Sequence, residues 1–237
     1  MILDFKANKI FIGVSILVAF GLATYLRLND TGWVFIGLIT FFFTILTYVQ
    51  LKRNTLKFIQ NYEVILMIRL QGTPYLKAYQ ALVEKGTRFN PVWTITKHQR
   101  MVMGYFFTGQ FETAKQKLAE IEKEFKAFLE MDSYSFYLNQ VIHFLLSLIE
   151  GDELGAAIQK EKEAFKALPL KAQERLQDNI NGYHQLALLA EGILQDKNPK
   201  EMILKAFEER SAFMKVILAK AYHEALIEQE IPEHQLF

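Results

Sequence analysis

The chain has 237 residues, 51% of them hydrophobic, with 27 Lys and Arg balanced by 26 Asp and Glu. That balance excludes the basic stripe with which a soluble domain holds nucleic acid. The absence of cysteine excludes disulfides, thiolate metal sites, iron–sulfur clusters and a cysteine nucleophile.

Two apolar runs, residues 10–26 and 33–51, contain no charged side chain and are separated by the short polar break 27–32. Each approaches the ~20 residues that a helix needs to cross a bilayer core. Residues 1–54 therefore read as a transmembrane hairpin. Lys6 and Lys9 precede the first run and Lys52, Arg53 and Lys57 follow the second, so the positive-inside rule places both termini in the cytoplasm of a cell membrane of the inner or plasma type. A basic start and an apolar core are also shared by export signals, but no small-x-small cleavage site leads into a polar start. Ser15, Ala19 and Ala23 form one small-residue stripe, and Gly37, Thr40, Thr44 and Thr47 form another, an arrangement that suits packing of the two spans on each other and leaves room for self-association. The sequon at Asn29 and Thr31 lies in too short a loop to mean glycosylation.

Residues 56–70 repeat apolar positions at helical spacing, broken by Lys57, Glu63 and Arg69, and so predict an amphipathic helix. Thr73 and Pro74 are placed to start the next helix, over 75–85. The clearest pattern follows. Pro91 opens a helix to about Thr108, Gly109 and Gln110 turn the chain, and 111–129 forms a second helix, with Tyr105, Gly109, Phe111, Ala114, Leu118 and Ile121 at intervals of four, two, three, four and three.

This segment resembles a tetratricopeptide repeat, in which a Tyr, a Gly, an aromatic and a small residue recur in that order across a helix–turn–helix. The resemblance implies an all-α fold in which helical hairpins stack as a solenoid. Lys126 departs from the terminating proline, and the early tryptophan is missing although Trp93 lies nearby. Further turns fall at Gly72, Gly151 and about Asp196, a spacing somewhat longer than the ~34 residues of a standard repeat. Three to four hairpins are expected over 55–230, the last amphipathic helix (211–230) capping the stack and 231–237 forming a tail.

No phosphate loop, dinucleotide fingerprint, zinc-protease motif or serine elbow occurs, and the five histidines are scattered; no catalytic, cofactor or metal residue is assigned. Ser135, Asn139, His143 and Ser147 make a polar stripe on an otherwise apolar helix. If first helices line the groove of a solenoid, the candidate partner-binding residues are Gln99, Met103, Phe106, Asn139, His143, Asn181, His184 and Gln185. The expected function is a membrane-anchored, cytoplasmic, bacterial-type scaffold that binds a protein or peptide. The alternative is a subunit of a membrane transport or enzyme complex.

Overall fold

The computed structural model describes residues 13–22, 24–25, 32–84, 91–179 and 182–226. Every regular element among them is a helix, so the fold is all-α. Contacts divide the chain into two units, 1–63 and 64–237. The boundary falls within one helix.

In the first unit, α1 (13–22) and the leading part of α2 (Trp33–Met67) line a common groove of about 460 Å³. Ser15 and Ala19 face Thr40, Thr44 and Thr47 across it, so the two small-residue stripes do meet; Ala23 and the sequon lie outside the described residues. Two of these threonines bond within their own helix. Thr44 Oγ1 donates to the Thr40 carbonyl and Thr47 Oγ1 to that of Phe43, each at 2.8 Å, so these two hydroxyls are satisfied by the backbone one turn earlier. Around it large apolar side chains stand exposed: Leu17 71%, Phe20 72%, Phe41 64%. Among the described residues, no helix is long and apolar enough to cross a membrane.

The second unit begins with the end of α2. The chain then turns at Leu70, whose φ of 52° places it in the left-handed region. Glycine is the usual occupant of such a turn, and the sequence pattern predicts it at Gly72; instead Gly72 is buried as the first residue of α3 (Gly72–Glu84), and Pro74 stands third in that helix. Burial of the Leu70 side chain offsets the roughly 1–2 kcal/mol that a left-handed residue with a Cβ costs. Helix α3 lies against α4 (Pro91–Phe107) at Gly104, where a Cβ would sit 2.9 Å from the Leu76 Cα. Only glycine permits that approach.

Three helical hairpins follow, and each turn forms for a local reason. Gly109, at φ 73°, links α4 to α5 (Phe111–Glu124), and Ala114, Leu118 and Ile121 are the buried stripe of α5. The expected helix over 111–129 breaks at Phe125, which swings its ring to 5.6 Å from that of His98 and starts the short α6 (Lys126–Met131). Asp132 then caps α7 (Ser133–Glu150) by accepting from the Ser135 backbone N–H at 3.0 Å. Gly151, at φ 79°, ends α7 before α8 (Leu154–Lys166), with Glu153 also left-handed at the entry. An exposed helix that the pattern did not predict, α9 (Leu170–Gln177), leads to α10 (Tyr183–Gln195). Asp196 Oδ1 accepts from Asn198 N–H at 3.0 Å and Pro199 opens α11 (Pro199–Glu209), as the turn residues predict.

The last helices depart most from expectation. Ser211 caps α12 (Ala212–Ala221), which stops at Tyr222 before the short α13 (His223–Leu226); residues 227–237 lie outside the described chain. A capping helix would keep one polar face. Instead Phe213, Met214, Val216, Ile217, Leu218 and Ala219 of α12 are all buried. Phe213 meets Phe107 of α4 at 5.1 Å and Tyr183 of α10 at 6.4 Å, and α12 also lies against α7. It packs across the first helices of three hairpins, as a core element.

Candidate functional site

Burial decides which expected site residues are reachable. Met103 and Phe106 are completely buried, Phe106 with its ring edge-on to Phe107 at 5.0 Å and to Phe111 at 5.5 Å. Gln99 is equally buried and donates from Nε2 to the Ser135 carbonyl at 2.7 Å, joining α4 to α7. These three, expected to line an open groove, are interior groups because the faces of the first helices are covered. Gln185 donates to the Gln177 carbonyl at 2.6 Å and fixes the end of α9, while Asn181 lies outside the described residues.

His184 is also internal. Its Nδ1 is 3.1 Å from each carboxyl oxygen of Glu161, and its ring stacks on Phe165 at 3.6 Å and 3°. Glu161 has no exposed surface, and Tyr137 is hydrogen-bonded to it; burial first, and then the Glu161 charge, push the Tyr137 hydroxyl well above its ordinary pKa. The Tyr137–Glu161–His184 group ties α7, α8 and α10 together without an opening to solvent. Nearer the surface, Lys162 reaches both oxygens of Glu191 at 2.7 Å and repeats the α8–α10 tie.

An open site does exist, on the other side of α7. A groove of about 510 Å³ lies among α5, α7 and α8, between the second helices of two successive hairpins. Phe136, Gln140, His143 and Ser147 line it from α7 at steps of four, three and four, one helix face over a length of roughly 16 Å. Ala156, Ala157, Lys160 and Ala164 line it from α8. The sequence-predicted stripe thus divides: Ser135 and Asn139 are buried, whereas His143 and Ser147 face the groove.

Glu122 of α5 stands at the meeting point. Its Oε1 accepts from Asn139 Nδ2 at 2.8 Å and lies 2.7 Å from His143 Nε2. The His143 hydrogen bond, opposed by burial and aided by Asn139 and by the charge of Lys160, holds the Glu122 carboxyl below the usual carboxylate range. An ionised carboxylate only accepts, so His143 carries its proton on Nε2. Sequence reasoning missed Glu122, because a contact between residues 21 apart leaves no periodic trace. Glu161 did leave one: it occupies an inward position in the Ala157, Ile158, Glu161, Ala164, Phe165 pattern, where an apolar residue is the norm.

Among the described residues no group of three or more His, Asp or Glu stands together to hold a metal ion. No protein-family model matches the chain, and no curated protein or solved structure matches it either.

Proposed function

We propose that the chain is a membrane-anchored helical scaffold whose second unit, a degenerate stack of tetratricopeptide-like hairpins, binds a protein segment at the cytoplasmic face. The observation that carries this reading is the groove among α5, α7 and α8. It is three helical turns long and combines an alanine-rich wall and an aromatic ring with an ionised, pre-oriented carboxylate. Elongated grooves of this composition take the apolar face of a helix or an extended peptide. The tetratricopeptide likeness is supported by Gly109 at the hairpin turn and by the fully buried Ala114 on the following helix.

Membrane seating rests on a separate argument. Exposed Leu17, Phe20, Phe41 and their neighbours would cost roughly 1.5–3 kcal/mol each if left in water when they could be buried, and hydrocarbon removes that cost. The uncharged runs and their basic flanks give the orientation.

The test is site-specific photocrosslinking from Gln140 in the full chain within its native membranes. A single partner adduct, lost on Ala156→Trp with helicity unchanged, is expected; adducts indifferent to that substitution overturn the groove as the binding site. Because the chain has no cysteine, single-cysteine labelling at residues 57 and 235 reads the orientation directly. Both positions should be modified only from the cytoplasmic side.

A further inference from the structure

Glu122 uses one oxygen twice and the other not at all. Both Asn139 and His143 approach Oε1, and Oε2, on a side chain that lines the groove, has no hydrogen-bonding or ion-pair partner among the described residues. Two donors saturate the lone pairs of one carboxylate oxygen, so the free oxygen is where a further donor must go. The arrangement is costly to build: Asn139 is 1% exposed, and in giving its Nδ2 to Glu122 it leaves its own Oδ1 without a partner. Two buried or half-buried donors thus hold a charged group in one orientation toward an open space.

The surrounding charges select the occupant. Glu163 and, at the entry to α8, Glu153 line the same groove, and neither forms an ion pair with a described residue. Lys160, on the opposite wall, is the groove's lysine; it is near enough to act on Glu122 through its charge but forms no salt bridge with it. Beyond these, the lining offers Gln140 and Ser147, the Phe136 ring and alanine methyl groups.

We propose that this groove takes a basic amphipathic segment of a partner protein, its apolar side on Phe136 and the α8 alanines and one cationic side chain seated on Oε2 of Glu122. The inference rests on the binding role given to the groove above and adds the chemistry of what binds. With Oε1 already saturated, a guanidinium cannot form its two-oxygen fork, so lysine serves as well as arginine. Lys160 competes for the same oxygen and sets the threshold for binding. Asn139 and His143 are positioning residues.

The experiment pans a library of 15-residue, helix-favouring random peptides against the purified full chain, with the Ala156→Trp protein as the counter-screen. Expected is enrichment of peptides with Lys or Arg at one position of an apolar face. Their affinity should fall at least tenfold on Glu122→Gln and rise on Lys160→Gln, with circular dichroism unchanged in both variants. Enriched peptides without a basic residue, or basic peptides indifferent to both substitutions, overturn the cation seat while leaving the groove as a docking site. If no peptide distinguishes the wild type from Ala156→Trp, both readings fall.

Discussion

The imidazole of His143 and the carboxylate of Glu122 meet at 2.7 Å, Nε2 to Oε1, and Asn139 reaches the same oxygen at 2.8 Å. The contact joins α5 to α7 and holds Glu122 ionised to a lower pH than an ordinary carboxylate. A carboxyl with a lowered folded-state pKa adds stability above its unfolded value and loses it as pH falls through the folded one. Glu122 therefore contributes to a loss of stability that begins near pH 4.5 and continues downward. His143→Ala should raise the Glu122 pKa and flatten that part of the pH–stability curve. A carboxyl-carbon NMR titration checks the first effect and melts at stepped pH the second; an unmoved Glu122 titration would contradict the assignment.

Glu161 has no contact with solvent and serves both His184 and Tyr137. Glu161→Ala should destabilise the second unit by about 3–5 kcal/mol, because it leaves buried polar partners uncompensated. Glu161→Gln, which keeps the shape and one acceptor, should cost less. Chemical denaturation of the two variants provides the comparison, and equal losses would show that the carboxylate charge, which both variants lack, matters and the retained shape and acceptor do not.

Two glycines separate close packing from local backbone preference. At Gly104 a methyl group would meet the Leu76 backbone at 2.9 Å, so Gly104→Ala should cost about 1–3 kcal/mol. At Gly155, in the first turn of α8, nothing lies within 4 Å, and alanine should stabilise by up to about 1 kcal/mol. Thermal melts should move in opposite directions.

Phe213 is the point at which α12 meets α4 and α10. Phe213→Ala should lower stability by about 3–5 kcal/mol and increase hydrogen exchange in α4 as well as in α12. Exchange that rose in α12 alone would mean that the helix is peripheral.

Local chemistry was the legible part of the sequence. Gly109, Gly151 and the Asp196–Pro199 turn each carry a residue suited to the backbone found there, and the Ala114, Leu118, Ile121 stripe follows the helical period. Leu70 was not legible, since its left-handed turn is stabilised by burial that no neighbour in sequence announces. The interior placement of Met103 and Phe106 was not legible for a similar reason. Met103, Phe106 and His143 all fall on first helices at plausible groove positions, and only the packing of helices distant in sequence separates the interior ones from the accessible one. That packing depends on contacts such as Phe107–Phe213, which join distant parts of the chain and have no signature in a local pattern.

Because α12 lies inside the second unit, the order of synthesis constrains how that unit is completed. Hairpins made earlier emerge with the apolar surface that will receive Phe213 and Ile217 still uncovered, and they stay so until the chain has been translated past residue 221. Stop codons or proteolytic cuts before Ala212 should then yield aggregation-prone fragments, where a stack capped by a dispensable terminal helix would yield a shorter but soluble one.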